Sequence, residues 1–340
     1  MGGQWCWKGV TMNKRELVKT VFDGKAGDRV PVGFWWHFTG SADRASGYLD
    51  NGIVDESLAG HKKMIEDFQP DMVKIMSDGF FCHPGLVENK VRSIADLRKI
   101  RPITKEHPWI RKQIYVVDQV LEMTKGEIIA IYNIFSAVQQ LRIYLEHVCG
   151  DLGSYRGLIM EHTAETMDAL KIVEEDTRML LDELKAHTGV DGIYYSVQML
   201  QYPEADHAFH DRWIVPSDMA VLNHINKLWE YNMLHICGYE HYHNDVGFYA
   251  KYPCKAYNWA THTENISLKQ GKEIFKSCVC GGFDNNKGSL IDTGTIEELA
   301  RYTKELIADT GREGLIIGAD CTLHSDVDYT RLCAIRDAGK

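Results

Sequence analysis

A histidine and a cysteine stand two residues apart in the stretch Leu234-His235-Ile236-Cys237-Gly238, at the end of an apolar run. In an extended strand alternate residues share a face, so the imidazole of His235 and the thiol of Cys237 point the same way. Imidazole nitrogen and thiolate sulfur are the donors that zinc prefers. Two of them on a rigid strand end need only a third to make a site with one position left open for a substrate. Cys321, in "GADCTLHSD", can supply that third donor. Cys278 and Cys280 form a second pair with the same spacing, which reads more simply as two small buried core residues. His241, His243, His262 and His324 are further candidates, each read first as a solvated loop residue.

These side chains need a scaffold that brings strand ends together. Eight short apolar runs recur along the chain, at 30–36, 71–77, 127–133, 190–196, 232–237, 254–260, 277–283 and 314–319. Each is followed by a polar or glycine-containing turn. Helical patterns lie between them at 55–68, 136–150, 164–189, 217–232 and 295–311. The last has Thr295 and Glu298 in capping-box spacing and ends at Gly311. Strands apolar on both faces, alternating with helices, predict an α/β fold: a single (β/α)8 TIM barrel with its reactive groups at the C-terminal strand ends. Residues 1–12 read as an N-terminal extension and residues 13–340 as the barrel. Between the third and fourth runs the connection is long enough for two or more helices.

Composition narrows the function classes. With 44% hydrophobic and 25% charged residues the chain has the balance of a soluble globular protein. The formal charge of −10, with no standout lysine or arginine cluster, argues against a nucleic-acid partner. No window is apolar enough for a membrane span, so no membrane partner is expected. Nine scattered cysteines, behind an opening "MGGQWCWKGVT" that lacks the apolar core of a signal peptide, read as cytosolic thiols. A cytoplasmic location follows as the expectation.

From "KRELVKTVFDGKAGDRVPVGFWW" to "IIGADCTLHSDVDYTRLCAIRDA" the chain resembles the uroporphyrinogen decarboxylase superfamily. The segments "GDRVPV", "CGGFDN", "GTIEEL" and the final Cys-Asp-Leu-Ala-Ile pattern carry the resemblance in the family's order. It implies a single (β/α)8 barrel. The superfamily holds both tetrapyrrole decarboxylases and corrinoid-linked methyltransferases, and two places distinguish them here. Where the decarboxylases have a loop with two arginines, this chain has "HFTGSADR", with Arg44 alone. The methyltransferases resemble this chain in a His-x-Cys pair and a later single Cys that together bind zinc, and His235, Cys237 and Cys321 match.

That branch implies Zn2+ as cofactor and a corrinoid, a methylcobamide, as co-substrate. The small substrate would be a thiol acceptor or a methylated donor. No Asp-x-His-x-x-Gly segment for cobalamin attachment occurs in the chain, so the partner expected is a separate corrinoid protein. A mouth that takes a cofactor face could be lined by the aromatic residues Trp35, Trp36, Phe80, Phe81, Tyr194, Tyr195 and Trp259, with Trp36, Tyr195 and Trp259 as the leading candidates and barrel packing as the plainer role of each. Asp78, in "KIMSDG", resembles the Ser-Asp strand end of the decarboxylases and is the candidate catalytic carboxylate, with the capping of a turn as its plainer role. A metal-free decarboxylase and a non-catalytic barrel that binds a corrinoid or another ligand are the alternatives.

Overall fold

Seven of the eight apolar runs form regular strands in a computed structural model that describes residues 12–340. They are β1 (Met72–Ile75), β2 (Ile129–Phe135), β3 (Gly192–Val197), β4 (Met233–Ile236), β5 (Ala256–Trp259), β6 (Cys278–Phe283) and β7 (Leu315–Ala319). Neighbours in sequence are neighbours in space, and every pairing is parallel. Nearly every strand residue is buried, as expected where helices cover one face and the barrel interior the other.

The first run, 30–36, departs from the expected eighth strand. It lies between β7 and β1 and closes the ring with a sparser ladder. Gly33 N–H donates to Ile317 O (2.9 Å), Ile317 N–H to Pro31 O (2.9 Å) and Asp71 N–H to Val32 O (3.0 Å). Pro31 has no N–H to offer. The N–H of Val32 goes to the carboxylate of Asp71 (3.0 Å) instead of a strand carbonyl. That buried carboxylate also takes both terminal nitrogens of Arg29. A side chain thus replaces backbone bonds at the seam.

Alternation sorts the side chains into two layers. Met72, Met76, Ile129, Ile131, Tyr194, Met233, Cys278 and Cys280 pack together with Trp35 inside the ring. The opposite faces of the same strands meet the helices, with Val73, Ile75, Tyr195, Leu234, Trp259 and Ile317 in the larger cluster. Helices Ala137–Ile143 and Thr163–His187 both lie in the long crossover, and Ile296–Thr310 starts with the expected Thr295/Glu298 capping box. Gly311 ends that helix at φ 79°, ψ 157°, a positive φ that suits glycine, although not the left-handed helical value. Helices Pro108–Thr124, Leu268–Phe275 and Tyr329–Ala338 have no counterpart among the helical patterns read from the sequence.

Residues 1–11, all but the last of the expected N-terminal extension, lie outside the described residues. Met12 belongs with the barrel: its N–H donates to Asp28 (2.9 Å) and its side chain packs against the interior cluster. Among the described residues no helix is long and apolar enough to cross a membrane.

One buried carboxyl outside the ring sets a pH dependence. Asp218, on helix Val215–Leu228, accepts from Tyr252 O–H (3.0 Å) at one oxygen, while its other oxygen has no partner. Burial pushes it up to about 7 from an ordinary 3.8. With the folded value above the unfolded one, its contribution to stability is complete below the unfolded value and is lost as pH rises to about 7. The total is on the order of 4 kcal/mol. Asp218→Asn removes this dependence, so the variant should gain on the wild type in thermal melts between about pH 4.5 and about pH 7. A difference in melting temperature that stays flat across that range would contradict it.

Candidate metal centre

The three ligand candidates come from two places on the ring. His235 is the third residue of β4, Cys237 follows the strand's end, and Cys321 lies two residues beyond β7. They converge. One donor atom from each lies within 4.8 Å of the other two. Nε2 of His235 faces Cys321 Sγ at 3.5 Å. For a zinc ion with ordinary bond lengths and tetrahedral angles, the nitrogen-to-sulfur separation is about 3.5 Å and the sulfur-to-sulfur separation about 3.8 Å. The donors present fit zinc and would leave one position of a tetrahedral set for a substrate.

The imidazole is held by packing. Tyr194 stacks on it (centroids 5.1 Å, planes 27° apart), and the Tyr194 hydroxyl donates to Asn258 Oδ1 (2.7 Å). Asn258 in turn donates to the carbonyls of Cys280 (2.9 Å) and Ala319 (3.0 Å), tying β5 to β6 and β7. Nδ1 of His235 is buried with no hydrogen-bond partner, so stacking fixes the ring where such ligands more often have a hydrogen bond.

The two thiols behave as one unit. A hydrogen bond from Cys237 holds Cys321 far below the ordinary thiol range against the effect of burial, with His235 and Lys74 adding to it. The same hydrogen bond, together with burial, pushes Cys237 up. A metal ion would take the place of the shared proton, and binding would release it.

A cavity of roughly 330 Å³ opens beside the three donors. Its walls are strongly cationic: Arg44, Lys74, Arg142 and Lys287 line it, with Glu240 as the acidic counterpart. Lys74 is the unexpected one. It sits inside the ring on β1, 4% exposed, with its ammonium 4.0 Å above the Tyr194 ring and 5.2 Å from that of Trp35. Burial lowers it to about 8 against the pull of Cys321, Cys237 and Asp78. A lysine in the middle of the apolar "DMVKIM" was the signal in the sequence. Arg142 comes from the helix after β2 and is braced by Gln139 (3.2 Å) and Glu146. Arg44 is therefore not alone, as the sequence implied: a second arginine reaches the cavity from a distant segment.

Other expected site residues lie elsewhere. Trp36, Tyr195 and Trp259 are all buried away from the cavity, in the layer between strands and helices. The parity of the strands decides this: Tyr194 and Asn258 face the interior, so Tyr195 and Trp259 face out. Trp259 donates to Ile266 O (2.9 Å) and packs on Phe275, and Trp36 packs on Tyr329. Of the aromatic residues expected at the rim Phe81 does line the cavity, joined by Phe135 and Tyr239. Asp78 is buried and does not line the cavity. Its carboxylate receives His37 Nδ1 (2.8 Å) and the Phe38 N–H (2.8 Å), and His37 stands between it and the open space. It does not serve as a cap for its own turn. Cys278 and Cys280 are packed in the ring's lower interior, and His262 pairs with Asp320 (2.8 Å).

A methyltransferase from Methanosarcina mazei superposes on the chain with a TM-score of 0.69, at 14% identity, over 96% of this chain and 98% of that one. The two chains share a fold. A B12-independent methionine synthase from Shewanella sp. W3-18-1, in complex with selenomethionine, follows at a TM-score of 0.57 and 14% identity, over 92% of this chain and 97% of that one. The sequence matches no protein-family model and no curated protein.

Proposed function

We propose that this protein is a zinc-dependent methyltransferase that moves a methyl group between a corrinoid, carried on a separate protein, and a small substrate, either a thiol or a methylated donor. The observation that carries the reading is the convergence of His235, Cys237 and Cys321 beside an open cavity. Shared fold with two methyl-transferring enzymes supports it. The corrinoid and its carrier rest on the sequence resemblance.

Zinc bound there would favour the anionic form of a substrate heteroatom, or act on it as a Lewis acid. The chain's own residues do the rest. Arg44 and Arg142 offer charge-assisted hydrogen bonds to an anionic group on the substrate, each worth about 1.5–3 kcal/mol. Lys74, held over Tyr194, adds a positive charge on the thiolate side of the cavity at pH below about 8. Phe81, Phe135 and Met76 give the cavity an apolar face beside the donors.

The test uses zinc-loaded protein with free methylcobalamin and mercaptoacetate, followed by the loss of methylcob(III)alamin absorbance, and with cob(I)alamin and a methylated donor in the reverse direction. Turnover that needs zinc and vanishes in Cys321→Ala supports the reading. Zinc-dependent methyl transfer from a donor other than a corrinoid would retain the metal role and remove the corrinoid, and release of carbon dioxide from a carboxylate substrate without zinc would replace both.

A further inference from the structure

We infer that His37 is a catalytic residue of this cavity, the group that takes the proton from the substrate's reacting heteroatom as that heteroatom binds, ahead of the methyl group, and returns it in the reverse direction. The inference rests on the methyl-transfer reading above. Methylation of R–XH breaks the X–H bond, and a lone pair of X forms the new X–C bond. The electron pair that bound the methyl group stays with the corrinoid. One proton is left over. In the reverse direction R–X–CH3 must gain one.

Few groups on the cavity wall can hold that proton. His235, Cys237 and Cys321 are the metal's ligands, while Arg44 and Arg142 are already protonated. Lys74 faces the two thiols and serves as their countercharge. Glu240 is exposed at the rim. Three histidines remain. His324 is exposed, and His147, which burial lowers to about 4, has its nearest carboxylate oxygen, on Glu146, 3.7 Å away. His37 alone of these three is tied to a buried carboxylate at hydrogen-bond distance, 2.8 Å from Nδ1 to Asp78.

That bond decides which nitrogen is free. Burial pushes the Asp78 carboxyl up, but the neighbouring His37, its hydrogen bond and the Phe38 N–H together hold it below the usual carboxylate range. An ionised Asp78 accepts from Nδ1–H. Nε2, which has no partner among the described residues, then carries the lone pair toward the cavity. Phe81 packs against the ring (centroids 5.5 Å) and limits its rotation. Asp78 is the positioning residue. This arrangement of base and orienting carboxylate is the one that proton transfer in active sites requires.

The experiment is a proton count. Mercaptoacetate is titrated calorimetrically into zinc-loaded protein at fixed pH in phosphate and in Tris, whose different ionisation enthalpies reveal the protons released to buffer. His37→Gln should release about one proton more per thiol bound than the wild type, because the thiol's proton no longer stays on the protein. His37→Ala should do the same, and Asp78→Asn should move the count in the same direction. Equal release by wild type and both His37 variants, with zinc retained and thiol bound, overturns the role of His37. Failure of the zinc-loaded wild type to bind mercaptoacetate at all overturns the thiol reading, and this inference with it.

Discussion

Cys321→Ala should purify without zinc and without methyl-transfer activity while the barrel stays folded. The wild type should carry about one zinc per chain, since three protein donors in reach of a tetrahedral centre bind it with one position to spare. Losing one thiolate removes a third of the donor set and leaves Cys237 without the partner that shares its proton. The rest of the molecule has little reason to respond. Cys321 lies past the end of β7, half-buried, and no strand pairing passes through it. The cost to folding should stay within about 1 kcal/mol, as for substitutions outside the core. Metal analysis together with a thermal melt checks both halves. A variant that keeps a full zinc complement would remove Cys321 from the ligand set.

Asp71→Ala should cost about 3–5 kcal/mol, the largest stability loss expected here from a single side chain. Asp71 is fully buried at the start of β1, where the ring closes with few backbone bonds. Its carboxylate satisfies the Val32 N–H and both terminal nitrogens of Arg29. Removing it leaves a buried amide and a largely buried guanidinium unpaired. Urea denaturation gives the number. Because the clamp sits at the N-terminal end of β1, across the barrel from the strand ends that carry the metal ligands, the folded fraction of this variant should still bind zinc. A loss below about 1 kcal/mol would mean that the seam is held by packing alone.

Much of this design is legible in the sequence because strand parity is a local property. The His-x-Cys spacing in "LHICG" fixes a shared face, and the alternation of apolar runs with helices fixes where that face ends up. The same parity, applied one strand over, would have turned Tyr195 and Trp259 outward. Bulk and aromaticity alone suit them to the mouth, but direction along the strand gives them their plainer role, packing against the helices. Helix Pro108–Thr124 is hidden in the sequence for a different reason. "QIYVVDQVL" is rich in β-branched residues, yet its buried positions, Trp109, Ile110, Gln113, Val116, Val117 and Val120, recur at helical spacing, and His107 caps its start. Tertiary packing overrode propensity there. What sequence reading does not supply is the meeting of distant side chains. Arg142 joins Arg44 across the cavity, and His37 comes between Asp78 and the open space, because the segments after the first run, after β1 and after β2 converge at the open end of the ring.

The central claim is a zinc ion held by one nitrogen and two sulfurs at the open end of the ring. Zinc K-edge X-ray absorption on the loaded protein tests it directly. The predicted spectrum has two sulfur neighbours at about 2.3 Å and lighter donors at about 2.0–2.1 Å, with a third sulfur added when mercaptoacetate binds. A first shell made only of nitrogen and oxygen would contradict the account, and one that keeps its two sulfurs but does not change on adding the thiol would remove the thiol reading alone.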